Sequence, residues 1–169
     1  MKEKPNIPLS VQQLECQLEC AQSRHADFPR EEAMLVRLIK LGHKLISDQA
    51  NNQLRAFGLS HTEYHALIGV DAAPHGMSPG ELADYLCEKA ANTTRLLDQL
   101  CSKGLVTREP SEDDRRRLIV RSTPAATALL DQLLPEIGGH IQTVFAGLSC
   151  AERQQLKALL CQVIGNLET

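Results

Sequence analysis

The sequence contains no tryptophan, and aromatic residues make up only 3% of its 169 positions. The core must therefore be aliphatic, and the abundance of leucine and alanine favours helices. No apolar run reaches the roughly 18 residues that a membrane-spanning helix needs. Residues 1–10 also lack the apolar segment of a secretory signal. We therefore expect a cytoplasmic protein with a mainly helical core and no membrane contact.

An excess of positive charge is also missing, because 18 Lys and Arg residues stand against 21 Asp and Glu residues, a net charge of -3. This value does not exclude DNA binding, which depends on local patches. The sequence lacks the nucleophile elbow, the P-loop, the dinucleotide-binding glycine pattern and the zinc-protease helix. The lack of these motifs predicts that the protein is not an enzyme and binds no cofactor.

Cysteine and histidine patterns do not indicate a metal site. The residues His61 and His65 stand one helical turn apart, but no neighbouring cysteine or carboxylate pair completes a ligand set. Most of the cysteines stand where helical periodicity places a small apolar residue, which favours reduced, packed thiols. The six cysteines are Cys16, Cys20, Cys87, Cys101, Cys150 and Cys161.

Start and stop signals divide the chain into helices. A short amphipathic helix is possible over Val11–Ala21, and Pro29 opens a longer one that Gly58 ends. In three places a serine is followed three residues later by a glutamate, the capping box that satisfies the first amides of a helix. These boxes begin at Ser60, Ser78 and Ser149.

A helix, a tight break, a second helix and a hairpin follow each other in the middle of the chain. The second helix spans about Lys89–Lys103 and ends at Gly104. Two β-type runs, 105–108 and 118–121, flank the charged loop Glu109–Arg117. This order predicts a mainly α fold with a small β-hairpin, a winged helix-turn-helix with N- and C-terminal dimerisation helices.

Two local predictions concern backbone conformation. Cys87 occupies the helix-turn-helix break where a glycine is usual, so we expect its backbone to avoid the left-handed region. The segment after Thr123–Pro124 is predicted to form a helix through Leu133 that is interrupted at Pro135 and loosened at Gly138–Gly139.

The second helix of a helix-turn-helix places its N-terminal side chains against base edges in the major groove. Here these side chains are short or polar, so that the backbone can approach the bases. The amide of Asn92 suits adenine, and alanine or threonine methyl groups suit the thymine methyl. Thr94 and Arg95 can hold phosphates. The candidate recognition residues are Lys89, Ala90, Ala91, Asn92, Thr93, Thr94 and Arg95.

The hairpin tip carries the second candidate DNA contact, Arg115, Arg116 and Arg117. Exposed arginines on a wing suit minor-groove insertion and phosphate contact. Asp114 is the expected orienting partner of one arginine. A solvated hairpin of mixed charge is the alternative interpretation of this tip.

Several of these segments together resemble the MarR family of transcription regulators. The resemblance covers residues 60–123, and the flanking helices fit that family's dimerisation region. The sequence departs from the family at Ser122–Ala126, where the usual Leu-Thr-x-x-Gly is missing. Upstream, Ser23–Pro29 is similar to the EmrR/MprA branch, which represses multidrug-efflux operons. The motifs that carry the resemblance are Glu81–Ala83, Thr94–Leu100, Lys103–Val106, Asp113–Arg116 and Ile119–Val120.

The resemblance implies a homodimer that binds a double-stranded DNA operator and is released by a small aromatic or phenolic anion. It assigns Asp114 and Arg116 to the family's wing pair and Thr94 and Arg95 to its recognition-helix motif. The implied segments are 1–59 for an arm and dimerisation helices, 60–123 for the DNA-binding lobe and 124–169 for C-terminal dimerisation helices, intertwined as one domain.

The effector site and the signal remain open at this point. Candidates for the effector pocket are His43, Tyr64 and His65, for which ordinary packing or solvent exposure is the alternative. Some family members sense oxidants through an N-terminal cysteine, so Cys16 and Cys20 offer a redox alternative. A winged-helix protein-interaction module that does not bind DNA is the rival class.

Overall fold

The computed structural model describes residues 7–111 and 117–168 and confirms a mainly helical fold with one two-stranded antiparallel sheet. None of the helices in these ranges is both long and apolar enough to cross a membrane. The elements are α1 (Leu9–Arg24), α2 (Arg30–Leu54), a 3₁₀ turn (Arg55–Phe57), α3 (His61–Asp71), α4 (Pro79–Leu86), α5 (Ala90–Ser102), β1 (Val106–Pro110), β2 (Leu118–Ser122), α6 (Pro124–Val144) and α7 (Cys150–Gly165).

The chain forms two compact units, Met1–Gln49 and Ala50–Thr169. In the first unit, α1 extends beyond the predicted Val11–Ala21 at both ends. The carboxylate of Glu19 on α1 accepts from the guanidinium of Arg30 on α2 at 3.1 Å. The three-segment division with intertwined helices stays a prediction about the dimer.

The core of the second unit is aliphatic, as the composition requires. Tyr64 is the one aromatic side chain in the buried cluster of the described residues. Burying a leucine side chain contributes roughly 1.5–3 kcal/mol, so these side chains dominate the stability of the unit. The leucines with no more than 1% of their surface exposed are Leu54, Leu67, Leu82, Leu97, Leu100 and Leu133.

Local signals set the helix ends as expected. All three capping boxes form, with the hydroxyls of Ser60, Ser78 and Ser149 each accepting from the amide three residues on. Gly58 and Gly104 both have φ of 69°, the left-handed conformation that ends a helix most easily at glycine. These stops keep α2 and α5 to their predicted lengths.

The sheet pairs Val106 with Ser122 at one end and Pro110 with Leu118 at the other. A bridge between Met77 and Val120 extends it, with hydrogen bonds of 2.8 and 3.1 Å. Gly76 precedes this bridge with φ of 71°, and a Cβ atom there would meet the Val120 carbonyl oxygen at 2.5 Å. Glycine is therefore required at this approach of the chain to the hairpin.

The prediction of an interrupted α6 is wrong, since one helix runs from Pro124 to Val144. Its buried residues, Ala126, Leu130, Leu133 and Ile137, keep helical spacing across Pro135, which is exposed. Packing of this stripe against the core of the second unit outweighs the hydrogen bond that the proline removes, a cost of about 3 kcal/mol. Gly138 and Gly139 are helical for the same reason.

A buried carboxylate connects three helix ends in the second unit. Glu63 is only 6% exposed and accepts from the Ser60 amide at 2.8 Å and from the ammonium group of Lys103. Lys103 follows the last residue of α5 and also donates to the Gly58 carbonyl at 2.7 Å. Burial raises the pKa of Glu63, but hydrogen bonds from Lys103 and Ser60 outweigh it, so the pKa lies below its usual value.

Removing the lysine should leave a buried charge without its partner. We expect Lys103→Met to lower the free energy of unfolding at pH 7 by about 1–3 kcal/mol, a range reduced because the ammonium is partly exposed. Glu63→Gln in the same chain should restore part of the loss. Because the pKa of Glu63 is lowered, its stabilising effect is present above pH 4.5 and declines as the pH falls below that value.

Urea denaturation measures the free energy of unfolding of the unmodified chain, Lys103→Met, the double variant Lys103→Met, Glu63→Gln and a control. Glu152→Gln is the matched control, because Glu152 belongs to an equivalent capping box on the surface of α7 with no lysine among its bonds. Equal stability of Lys103→Met and the unmodified chain, or no recovery in the double variant, would contradict this account.

Candidate nucleic-acid interface

The turn between α4 and α5 differs from its prediction. Cys87 has φ of 53° and ψ of 38°, which lies in the left-handed region and not outside it. Its amide donates to the Asp84 carbonyl at 3.1 Å, and the Glu88 amide donates to the Ala83 carbonyl at 3.0 Å. This pair of bonds is the Schellman closure of a helix. The closure offsets the roughly 1–2 kcal/mol that a side chain costs in this conformation.

Helix α5 has one buried and one exposed face. Leu96, Leu97 and Leu100 are buried and hold the helix on the core. The opposite face of its first turns is exposed and carries small or polar side chains. The exposed candidates are Lys89, Ala90, Ala91, Asn92, Thr94 and Arg95. The helix therefore presents six of the seven candidate recognition residues to solvent.

The seventh candidate, Thr93, is the exception. Its side chain is 1% exposed, and its hydroxyl donates to the Lys89 carbonyl at 3.3 Å. It lies one helical turn before Leu97, on the face that packs on the core. The expectation that Thr93 contacts a base is therefore corrected, because DNA cannot reach this side chain in the folded lobe.

Two of the exposed polar side chains, Asn92 and Thr94, have local hydrogen-bond partners. The Asn92 amide nitrogen donates to a Glu88 carboxylate oxygen at 2.9 Å. The Thr94 hydroxyl donates to the Ala90 carbonyl at 3.0 Å, which leaves its oxygen free to accept. The bond from Asn92 uses one of its two amide N–H groups, so the second N–H and the side-chain oxygen of Asn92 remain available to a base.

An arginine that sequence reasoning missed joins the hairpin to α5. Arg108, on β1, contacts a carboxylate oxygen of Asp98 at 2.7 Å and donates to the carbonyl of Thr94 at 3.2 Å. Both contacts lie on the recognition helix. The aspartate of the Thr94–Leu100 motif was a signal for such a partner, but the sequence does not say which arginine reaches it.

The base of the wing is described, whereas Asp114, Arg115 and Arg116 lie outside the described residues. Ser111 donates its amide to the Arg117 carbonyl at 2.8 Å, and the Arg117 side chain is exposed. Hydrogen bonds from Ser78 and the positive charge of Arg117 lower the pKa of Glu81, at the start of α4. The charge of Arg117 therefore acts on the first helix of the helix-turn-helix.

The three effector candidates are divided between the two units. His43 is exposed on the part of α2 that belongs to the first unit, and Tyr64 is buried at 8% exposure in the second. The Nε2 atoms of His61 and His65 lie 2.9 Å apart, and loss of water contact lowers the pKa of His65. No group of three potential metal ligands occurs among the described residues.

A small polar cleft that sequence reasoning did not find lies between the start of α3 and the exposed face of α5. Its volume is about 250 Å³, and it is lined by Ser60, Thr62, Glu88, Asn92, Thr93, Arg95, Leu96 and Gln99. Only the folded lobe brings these two helices together, so spacing in the sequence gives no indication of it.

The expectation of packed cysteines is not met within the single chain. Five of the six are exposed and Cys101 is half-buried, and all six are free thiols. Cys16 and Cys20 are both exposed on α1. Cys101 alone among these described thiols packs against the core of the second unit, as the spacing predicts.

A helix-turn-helix followed by a hairpin, braced by Arg108, is the architecture of a winged helix-turn-helix protein. The model of the MarR family matches residues 59–118. The transcriptional repressor MprA of Escherichia coli (strain K12) is 30% identical over 156 residues, which cover 92% of this chain and 89% of MprA. The chain therefore belongs to the MarR family, and the expected similarity to the EmrR/MprA branch is confirmed.

Solved structures agree with this assignment. A cysteine-to-serine mutant of E. coli MarR, complexed with operator DNA, has a TM-score of 0.73 and 28% identity, over 81% of this chain and 98% of that one. The S. aureus MepR–DNA complex has a TM-score of 0.73 over 78% of this chain and 96% of its own, at 23% identity, and supports the fold alone.

Proposed function

We propose that this chain is a dimeric repressor that binds a pseudo-palindromic operator and is released from it by a small aromatic or phenolic anion. The main support is helix α5, whose buried leucines hold it on the core while Asn92, Thr94 and Arg95 face solvent. The relative MprA is a transcriptional repressor, and MarR has been solved on operator DNA.

Major-groove reading is assigned to the first turns of α5. Ala90 and Ala91 are small enough to let the helix approach base edges, and Asn92 can give adenine one donor and one acceptor. Thr94 and Arg95 suit the phosphates beside that site. The bond from Asn92 to Glu88 uses only one amide N–H, so it can orient the side chain while the other N–H and the oxygen bind the base.

Minor-groove contact is assigned to the wing, with Arg116 as its reader, Asp114 as an orienting partner, and Arg115 and Arg117 near phosphates. The contacts from Arg108 to Asp98 and to the Thr94 carbonyl support this assignment, because they hold β1 against α5. A fixed angle between the helix and the hairpin lets both grooves be contacted at once.

The two DNA contacts should respond differently to substitution. Asn92→Ala should cost roughly 1–3 kcal/mol on the operator and little on unrelated DNA, because a base contact carries the sequence preference. Arg116→Ala should weaken binding to every duplex and reduce the slope of log affinity against log salt by about one unit per site. Salt-titrated fluorescence anisotropy on a duplex selected from a randomised library, and on its scrambled form, measures both.

Arg153→Ala is the matched control for charge, since Arg153 is exposed on α7. It should leave both the affinity and the salt slope unchanged. If Arg116→Ala also leaves them unchanged, the wing does not contact DNA, and an interaction module that does not bind DNA becomes the better proposal.

Dimerisation is supported by apolar surface that the single chain leaves open. No residue of α7 is buried. Contiguous apolar surface of this kind marks a protein interface, and a second copy is the proposed occupant. A two-fold dimer would place two copies of α5 about one DNA turn apart, ~34 Å. The exposed apolar residues of α7 are Leu156, Leu159, Leu160, Val163 and Ile164.

Sedimentation at micromolar concentration should therefore show a stable dimer, and Leu159→Glu, which places a charge on that surface, should shift it towards the monomer. Gln132 is exposed on α6, and Gln132→Glu is the control because it adds the same charge outside α7. A stable monomer for the unmodified chain would rule out the proposed dimer.

Release by an anion is the regulatory part of the proposal. Salicylate or 2,4-dinitrophenolate should weaken operator binding, because a ligand that favours one arrangement of the dimer shifts the spacing of the recognition helices. The same anisotropy assay measures the effect. If neither anion changes operator affinity or melting temperature, release by hydrogen peroxide and its loss in Cys16→Ser and Cys20→Ser should be tested, since both thiols are exposed.

A further inference from the structure

An apolar groove with a basic rim lies within the first unit, between α1 and α2. Its volume is about 500 Å³, within the range of about 300–1,000 Å³ typical of small-molecule sites. The floor includes Leu14 of α1 and Leu41 of α2, both half-buried. The Gln17 side chain adds an amide to the wall. A groove of this size and lining suits a flat organic molecule with an aromatic ring.

The rim of the groove is basic. Arg37, Lys40 and Lys44 all line it, His43 joins them, and no carboxylate is among its lining residues. This is unusual for a chain with a net charge of -3. The segment 33–47 of α2 contains no aspartate or glutamate, so the cations come from one uninterrupted stretch of helix.

The cations of the rim differ in their ion pairs with the described carboxylates. Lys44 forms an ion pair with Asp48 at 2.6 Å, one turn further along α2. Among the described residues, no carboxylate forms an ion pair with Arg37 or Lys40. The guanidinium of Arg37 can bind a carboxylate through two parallel hydrogen bonds, and Lys40 adds a point charge one turn away.

We infer that this groove binds a hydrophobic organic anion, with the ring against Leu14 and Leu41 and the anionic group held by Arg37 and Lys40. The inference rests on the proposed function, because it gives the released repressor a site for its effector. It assigns His43 to the rim of that site and leaves Tyr64 and His65 outside it. Charge complementarity favours an anion over a neutral ligand or a cation.

The position of the groove on α2 offers a route to the DNA-binding lobe. The same helix continues from Lys40 to Leu54, in the second unit. There Asn51 accepts from the amide of His61, the first residue of α3, at 2.7 Å. Lys103, at the end of α5, donates to the Gly58 carbonyl just after α2. The C-terminal end of α2 therefore contacts α3 directly, and the segment that follows it contacts Lys103 just after α5.

The test uses the full-length protein, with salicylate and its neutral analogue salicylamide as probes. Binding of each is measured by isothermal titration calorimetry, and operator release is measured separately by anisotropy. The double variant Arg37→Gln, Lys40→Gln removes the two cations that form no ion pair with a described carboxylate. Lys157→Gln, an exposed lysine of α7, is the matched control for loss of charge.

We expect the unmodified chain to bind salicylate more tightly than salicylamide. In the double variant the Kd for salicylate should rise about tenfold, a few-fold for each cation, and the preference over salicylamide should disappear. Lys157→Gln should behave as the unmodified chain. Melting temperature and sedimentation of each variant show whether the fold or the oligomeric state has changed.

The possible outcomes distinguish a failure of the groove as the binding site from a failure of anion release as the proposed function. If salicylate binds the unmodified chain and the double variant with equal affinity and releases both from the operator, the groove is not the effector site. The proposal that an anion releases the repressor then still holds. If binding is lost in the double variant but the anion never changes operator affinity, the groove stands and anion release is wrong. If the unmodified chain binds neither salicylate nor 2,4-dinitrophenolate, both are overturned. If the double variant loses the dimer, the groove is an interface between two copies, which also overturns the inference.

Discussion

The buried carboxylate of Glu63 is the contact on which the geometry of the second unit depends. It closes the first turn of α3 through the Ser60 amide and binds the ammonium of Lys103 at the end of α5. The same ammonium holds the Gly58 carbonyl after α2. One carboxylate thus connects three helix ends. Because it is buried, loss of the ammonium group would leave an unpaired charge inside the protein and destabilise the fold. The orientation of the recognition helix is fixed at its C-terminal end by this contact.

A second ion pair fixes the same helix near its middle. Arg108 holds Asp98 and the Thr94 carbonyl, so that β1 and α5 move together. Between the two contacts, Leu96, Leu97 and Leu100 anchor the buried face. The N-terminal turns carry the exposed polar side chains, whereas the anchors lie towards the other end. In the proposed complex, this arrangement would let side chains at the N-terminal end of the helix bind DNA while the helix itself keeps its position.

Features that depend on a few neighbouring residues could be predicted from the sequence, whereas features that depend on packing could not. The capping boxes at Ser60, Ser78 and Ser149 and the stop at Gly104 are satisfied within one helical turn, so spacing alone reveals them. The left-handed Cys87 differs because the Schellman bonds of its helix end override the preference of a side chain. Thr93 stands three and four residues before Leu96 and Leu97, so helical spacing indicates its buried position, but its polar side chain led to its assignment to the exposed face.

The same reasoning explains α6 and the candidate site. A proline within a helix is a strong local signal, but the apolar stripe across Pro135 carries more free energy than the lost hydrogen bond. The partnership of Arg108 with Asp98 and the groove between α1 and α2 both join residues from separate elements, so they follow from the fold and not from spacing. The sequence shows the cations of that groove as a stretch of α2 without acidic residues. It does not show which apolar residues line the groove beside them.

The acidic net charge of the chain, which is the only sequence feature that favours an interaction module without DNA binding, does not describe the candidate interface. Residues 89–121 contain eight Lys and Arg residues and five Asp and Glu residues, a local charge of +3 in a chain of -3. Part of this charge is internally compensated, since Arg108 pairs with Asp98 and Arg121 lies 3.7 Å from Glu109. Lys89 and Arg95 stand apart from these pairs on the exposed face of α5. If the proposed DNA contacts form, repulsion between DNA and the remaining acidic surface would weaken binding to arbitrary sequences, because such binding depends on charge alone. A positive interface on an acidic protein would therefore favour sites where base contacts add to the electrostatic attraction, which is the property that an operator-specific regulator requires.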